Sequence, residues 1–361
     1  MTDVLGATPV PSRPPVMADV ARLAGVSHQT VSRVINGLPN IRPSTRAKVE
    51  DAIRQLGYRP NTAARALVTK RSGTIGVIGT EAGHWGPTSI HRTVDDAARA
   101  AGYFASSVSL ERSTAEHLRA AMDHLARQAV EGIIMIAAQD DALESIAAQS
   151  PDVPLVVVEG DLSKSRRAVG VDQLAGARMA TRHLLELGHT DIAHVTGPLN
   201  WTEARARRDG WRAEMLDAGV RPAEPLIGDW TAASGFAAGA RIAGLDEVSA
   251  VFVANDQMAI GLLRALFEAG LRVPEDVSVV GFDDIPEAAY LIPPLTTVHQ
   301  DFQAVGRRAI EVLQAAIAHQ EEQLPRLLEP ELVVRTSTAP PSPTRTGTRT
   351  PSIPESRGAS Q

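Results

Sequence analysis

Val16 to Arg71 reads VMADVARLAGVSHQTVSRVINGLPNIRPSTRAKVEDAIRQLGYRPNTAARALVTKR, and its apolar spacing predicts a small helical head on a larger body. Val20, Leu23 and Ala24 fall at i, i+3 and i+4, one face of a first helix that Gly25 would end. Ser27 is placed to cap a second helix through Ile35, with Val31 and Val34 facing inward; Gly37 and Pro39 stop it. Ser44 is placed to cap a third helix, whose Val49, Ile53 and Leu56 repeat at i, i+4 and i+7 before Gly57. Two short helices on a glycine turn, braced by a third, form a helix-turn-helix plan.

That plan leaves His28, Gln29, Ser32 and Arg33 on the outer face of the second helix, where Gln can bond adenine and Arg guanine. Asn36, Arg42 and Thr45 stand where phosphate contacts are needed. The same pattern also describes a plain packing bundle with a solvated polar face. Charge separates the two readings. Val16–Arg71 holds ten Lys or Arg against three acids, a surplus of seven, so a chain of net −6 carries −13 outside it. A basic module on an acidic body suits phosphate contact. Beyond Tyr58, Pro60 breaks the path and Asn61 can cap one short helix, too short to stand alone. Leu67 on it is either an ordinary exposed leucine or a wedge for a minor-groove base step.

The chain has 361 residues and no cysteine, which excludes disulfides, thiolate metal sites and cysteine nucleophiles. No apolar run is long enough for a membrane span, and the first fifteen residues, with Pro9, Pro11, Pro14 and Pro15, lack an apolar signal core. The expectation is a cytoplasmic protein. From Thr74, strand patterns at Thr74–Gly79, Phe104–Leu110, Gly132–Ala137, Pro154–Glu159, Ile192–Thr196, Ala250–Asn255, Val277–Phe282, Thr296–His299 and Glu329–Val334 alternate with helical ones. The helical patterns include Ile90–Ala101, Thr114–Gln128, Leu174–Leu187, Ala204–Asp217, Met258–Ala269 and Ala304–Ala318. This is an α/β body of two doubly wound parallel-sheet subdomains, with Ala168–Asp172 as the crossing and a cleft at the strand ends. Dinucleotide, P-loop and nucleophile-elbow motifs are absent, and the histidines lack metal-ligand spacing, so neither an enzyme nor a cofactor is expected. Asn255, Asp283, Gln300, Arg205, Trp201, Trp230 and Phe302 lie at strand ends or helix starts, a set able to bond sugar hydroxyls and cover a sugar's C–H face. Each also has an ordinary reading: Asn255 a helix cap, Asp283 a turn residue, Arg205 a surface ion pair, a tryptophan core.

The runs VMADVARLAGVSHQTVSRVING and STRAKVEDAIRQLGYRPNTAARAL resemble the head and hinge of the lactose-repressor (LacI/GalR) family. GPLNWTEARARRDGW, GDWTAASGF, VANDQMAIG, SVVGFDD and IPPLTTVHQDF extend the resemblance to about Thr338, nearer the lactose-type branch than the purine or ribose branches. The resemblance implies a homodimeric repressor on double-stranded operator DNA, a periplasmic-binding-protein type core, and a galactoside inducer. His28, Gln29 and Arg33 would read bases, and Asn61, Ala64 and Leu67 of the hinge helix would also meet DNA. Trp85, Pro87, Ile90 and Glu159 would contact inducer from the first subdomain; Arg205, Trp230, Asn255, Asp283, Gln300 and Phe302 from the second. Trp85 and Trp201 are bulkier, and Glu159 longer, than the branch leads one to expect; Trp201 can stack on a second sugar unit. The Pro/Thr/Ser-rich tail lacks the branch's leucine heptads, which implies a dimer without tetramer. The expected divisions are a disordered 1–15, a head 16–57, a hinge 58–71, a core 72–338 and a disordered 339–361. An exported sugar-binding receptor of a transporter shares the body plan and is the alternative.

Overall fold

The computed structural model describes residues 13–35, 37–58, 71–80, 83–110, 114–136, 153–160, 167–320 and 327–342. Contacts divide the chain into two units, Met1–Ser72 and Gly73–Gln361.

In the first unit, α1 (Met17–Ala24), α2 (His28–Ile35) and α3 (Pro43–Leu56) close around Val20, Ala21, Ala24, Val31, Val34, Val49, Ala52 and Tyr58. Gly25, at φ 65°, turns the chain between α1 and α2. The Ser27 hydroxyl caps α2, accepting from the Thr30 amide at 3.1 Å. Two details depart from the periodicity. Leu23 is exposed and Ala21 takes its place inside, because the buried stripe of α1 turns one residue earlier. Ser44 lies within α3: Arg42 is the cap residue and Pro43 the first helical position, where its missing N–H costs nothing.

The second unit opens with β1 (Thr74–Thr80), α4 (Trp85–Ala100), β2 (Phe104–Leu110), α5 (Ala115–Arg127), β3 (Ile133–Ile136), β4 (Leu155–Val158) and β5 (Ala168–Val171). It continues with α6 (Gln173–Glu186), β6 (Ile192–Thr196), α7 (Thr202–Asp217), β7 (Leu226–Ile227), α8 (Ala232–Ala243), β8 (Ala250–Val253), α9 (Asp256–Glu268) and β9 (Ser278–Asp283). A 3₁₀ turn (Pro286–Tyr290), β10 (Thr296–His299), α10 (Phe302–Ile317), β11 (Leu327–Leu328) and β12 (Glu331–Val333) complete it. The strands make two sheets, ordered β11-β5-β4-β3-β1-β2 and β12-β10-β9-β8-β6-β7. Pairing is parallel (Gly76 opposite Ile133, Phe252 opposite Val280) except between β10 and β12.

Side chains alternate across each sheet as the pleat requires. Ile133 and Met135 pack with Leu118, Met122 and Leu125 of α5, while Ile134 and Ile136 face the core shared with Ile90 and Val94 of α4. In the second sheet Phe252 and Phe282 meet Trp211 and Met215 of α7, while Val251 and Val253 meet Met258 and Leu262 of α9.

The chain passes between the sheets three times, not once. Ala168–Val171 is itself a strand of the first sheet, between β4 and β11, and the crossing follows it at Asp172, into α6 on the second. After β10, α10 returns to pack on α4, β4 and β5. The strand expected at Glu329–Val334 is shorter, β12 at Glu331–Val333 in the second sheet, and before Pro330 an unexpected β11 at Leu327–Leu328 adds to the first. The start of the expected disordered tail belongs to the body, since Ala339 donates to the Ser278 hydroxyl at 3.0 Å. No described helix is long and apolar enough to cross a membrane.

Candidate effector cleft and DNA-reading face

Helix α4 begins five residues earlier than its apolar pattern indicates. Its first turn therefore carries Trp85, Gly86 and Pro87 toward the carboxyl ends of the strands. These residues line a cleft with His84, Ile90, Glu159, Gln173, Trp201, Glu203, Arg207, Trp230, Asn255, Asp283, Gln300 and Phe302. The space they enclose, with its open mouth, is about 490 Å³, within the usual range for a small-molecule site.

Of the eleven residues expected to hold inducer, ten line this cleft. Arg205 does not. Its guanidinium bonds the Leu199 carbonyl at 3.0 Å and the Thr202 hydroxyl at 3.2 Å, within its own helix start. Arg207, two residues on, is the arginine of the site. It is buried, since Ala204, Arg207, Trp211 and Glu214 form the inner stripe of α7, whereas Arg205 lies to the side. Its Nε donates to Gln173 Oε1 at 2.9 Å and Nη1 to the Ala254 carbonyl, and Nη1 stands 3.5 Å from Asp283 Oδ1. The guanidinium also lies 3.9 Å from the Phe282 ring centre and 5.5 Å from that of Trp230. The sequence reading also missed His84, Gln173 and Glu203. The inner stripe of α7 was the signal for Arg207; only the crossing at Asp172 hinted at Gln173.

A buried polar chain runs through the cleft. Gln173 Nε2 donates to Glu159 Oε2 at 3.1 Å and to Gln300 Oε1 at 2.8 Å; Gln300 Nε2 donates to Asp283 Oδ1 at 2.7 Å. Burial, reinforced by the nearby Glu203 charge, pushes the Glu159 carboxyl up to about 8, against the lowering pull of the Val171 amide, Arg207 and Gln173. Burial likewise raises Asp283 to about 6, with Arg207 and the Gln300 amide pulling it down. Glu203 reaches across from α7 to accept the Gly160 amide at 3.0 Å. Asn255 does two jobs. Its oxygen caps α9 through the Met258 amide at 2.9 Å, its amide holds the Trp230 carbonyl at 3.1 Å, and it still lines the cleft.

The apolar walls are indoles. Trp201 and Trp230 meet edge to face at 5.8 Å, and His84 meets Trp201 likewise at 5.6 Å. Trp230 lies over Gly197, where an added Cβ would overlap its ring. Glu159, Trp230 and Asp283 all hold positive φ, at 64°, 72° and 108°. Left-handed backbone at three residues of one cleft is a cost that such sites carry to aim side chains. Among the described residues the lining has no hydroxyl side chain and one imidazole, His84, and no group of three metal-ligating side chains gathers anywhere. Planar faces with fixed amide, guanidinium and carboxyl groups bind a polyol; nothing in the lining pairs a nucleophile with a base.

On the head, His28, Gln29 and Arg33 of α2 are exposed, with Ser32 half-buried beside them. Arg42 is exposed and Thr45 half-buried at the start of α3. Arg13 and Arg22 flank Asp19 at 3.5 and 3.4 Å; among the described residues Arg33 and Arg42 make no ion pair. The expected contacts at Asn36, Asn61, Ala64 and Leu67 lie outside the described residues.

Residues 16–61 match the model of bacterial regulatory proteins of the lacI family, and residues 181–338 that of the periplasmic binding protein-like domain. The lactose operon repressor of Escherichia coli K12 is 36% identical over 91% of this chain and 92% of its own length. The transcriptional repressor PurR of Haemophilus influenzae is 34% identical over 88% and 97%. Among solved structures, a Lac repressor dimer bound to operator and the anti-inducer ONPF superposes with TM-score 0.80, at 36% identity, over 91% of this chain and all of that one. The complex of the regulator CelR with cellobiose gives 0.67 at 33% identity, over 90% and 99%.

Proposed function

The chain belongs to the lacI family of bacterial regulatory proteins, and from that premise we propose that it is a sugar-responsive repressor whose homodimer leaves its operator when a galactoside fills the cleft. It is a regulator and not an enzyme, as its relatives are repressors. The observation that carries the ligand class is the cleft itself: Trp85, Trp201, Trp230 and Phe302 around Asn255, Asp283, Gln300 and Arg207. Flat apolar faces beside fixed donors and acceptors match the two sides of a sugar ring. The basic head, with His28, Gln29 and Arg33 outward, is the reader of double-stranded DNA, and a symmetric dimer reads two half-sites. Asn36, Arg42, Thr45, Asn61, Ala64 and Leu67 complete its contacts, and the site of action is the cytoplasm.

Support for a galactoside comes from the likeness to the lactose operon repressor. The purine repressor relative shows that the family fold alone does not choose the effector, and the cellobiose-bound regulator makes another disaccharide the second reading. An exported receptor loses its support, because the lacI match covers the head. In this proposal ligand in the cleft changes how the two subdomains stand against each other, and the segment 58–71 loses its grip on DNA. Operator and effector affinities then oppose each other reciprocally. The test is a gel shift of the promoter upstream of its own operon, with lactose, other galactosides and cellobiose in parallel. Release by a galactoside is expected. Release by cellobiose alone moves the reading to β-glucosides, and indifference to every sugar refutes the effector half.

A further inference from the structure

We propose that Gln173 is a positioning residue of this cleft: its one amide ties Glu159 of the first subdomain to Arg207 and Gln300, and so sets the spacing of the two walls that receive a ligand. The inference rests on reading the cleft as the effector site.

Gln173 is the first residue of α6, directly after Asp172, where the chain first passes between the sheets. Gln300 stands where it passes back, between β10 and α10. The Gln173–Gln300 bond of 2.8 Å thus joins two crossing strands by side chains 127 residues apart. Crossings of this kind are where hinge closure concentrates its backbone change. A bond between them therefore acts on the angle between subdomains as well as on the wall.

Both donors of the amide are committed and its oxygen is engaged. Both N–H groups are used, on Glu159 at 3.1 Å and Gln300 at 2.8 Å, and the oxygen takes the Arg207 Nε at 2.9 Å. Only 7% of the residue is exposed. Gln173 lines the cleft, but with both N–H groups committed to protein it acts on a ligand through its partners. Those partners do face the ligand space: Glu159, Arg207 and Gln300 all line the cleft, and Gln300 and Arg207 in turn hold Asp283. A buried network in which every member is satisfied favours one arrangement, and losing its central member releases several groups at once.

The test uses the full-length protein. Gln173→Leu removes all three bonds. Gln173→Glu keeps the oxygen that Arg207 needs and removes both donors, and it serves should the leucine variant fail to fold. The first readout needs no ligand: intrinsic fluorescence against pH, since Trp85, Trp201 and Trp230 line the cleft. In the parent a transition with a midpoint near 8 reports Glu159, whose charged neighbours in the cleft are Glu203 and Arg207. Glu159→Gln abolishes the transition. Both Gln173 variants move it to higher pH, because the lost amide bond favoured the carboxylate. The second readout is calorimetric titration with lactose and with cellobiose. Each Gln173 variant weakens the sugar that binds at least tenfold, and combining Gln173→Leu with Glu159→Gln costs less than the product of the separate losses. An unmoved fluorescence midpoint overturns the positioning role, as does strict multiplicativity in the double variant. Failure of the parent to bind either sugar, with the midpoint moving as expected, overturns the effector reading and leaves the Gln173 network standing.

Discussion

Arg207 and Arg205 stand two residues apart on one helix, and exchanging their fates separates a cleft built from the inner stripe of α7 from one built from sequence motif alone. The perturbation is Arg207→Lys beside Arg205→Ala. Arg207 and Asp283 side chains are each only 6% exposed, so water screens little of their interaction. Removing one partner of such a pair typically costs about 3–5 kcal/mol. Lysine keeps the charge and loses the planar fork, which here reaches Gln173, the Ala254 carbonyl and Asp283 from one group. Two charge-assisted bonds lost or bent, at about 1.5–3 kcal/mol each, exceed what the ammonium regains. The lower end of that range leaves a net deficit near 1.5–3 kcal/mol in stability, read by urea unfolding, and because Arg207 lines the cleft the lost fork weakens sugar binding at least tenfold, or about 1.4 kcal/mol. Arg205 is half-buried and does not line the cleft, and two of its bonds go to the Leu199 carbonyl and the Thr202 hydroxyl. Because it stands outside the lining, its loss changes sugar affinity less than about fivefold, or about 1 kcal/mol. Calorimetric titration of each variant, with urea unfolding to confirm folding and a gel shift to confirm operator binding, reads the contrast. Loss of sugar binding in Arg205→Ala with retention in Arg207→Lys refutes the geometry of the cleft.

Three further outcomes are expected. Arg33→Ala weakens operator binding and relaxes the preference at one base position by about 1–3 kcal/mol, measured on a panel of single-base operator variants; loss uniform across the panel makes Arg33 a phosphate contact instead. Gly197→Ala drives a Cβ into the Trp230 ring and weakens sugar binding at least tenfold while leaving operator binding intact; unchanged sugar affinity would show that the indole has room to shift. Glu159 gives a pH signature: its folded pKa, raised to about 8, lies above the unfolded value of 4.5, so its protonated form stabilises the fold fully below pH 4.5 and that stability is lost as pH rises to 8. Urea midpoints therefore fall less between pH 5 and 8 in Glu159→Gln than in the parent, and equal slopes in the two proteins contradict a buried protonated acid.

Much of the fold was legible because its signals are local. Strands β2, β6 and β10 stand where their apolar alternation put them, and the α2 cap at Ser27 follows from one hydroxyl in the right place. Helix α8 escaped notice for a physical reason. Its sequence AASGFAAGARIA carries Gly235 and Gly239, which weaken an isolated helix. Tertiary contact reverses the sign, since a Cβ at Gly235 would strike the Met258 backbone and one at Gly239 the Leu262 backbone of α9. The glycines that argue against a helix are what let two helices approach. Likewise the two short pieces β11 and β12 each add one edge to a different sheet, a fact that no five-residue window contains.

The cleft was legible by residue type and illegible by connection. Trp230, Asn255, Asp283 and Gln300 could be chosen because aromatic and polar groups gather at strand ends, where parallel sheets place ligands. Choosing Arg205 over Arg207 was a question of helical phase, and the phase was available: Ala204, Arg207, Trp211 and Glu214 fall on one stripe that includes the large apolar Trp211. A charged residue on a buried stripe reads as an error of pattern until a partner is found, and the partner here, Asp283, lies 76 positions away in the chain. Gln173 shows the same limit more sharply. Beyond the crossing at Asp172 nothing in its neighbours marks it, and its meaning comes from Glu159 after β4, Arg207 on α7 and Gln300 after β10. The ordinary reading of Asn255 as a helix cap was correct and was also compatible with the site, because the residue that caps α9 also lines the cleft and holds the Trp230 carbonyl there. A structural role and a binding role are therefore not alternatives for a residue at the end of a strand; the fold that satisfies its backbone is what fixes the group it presents.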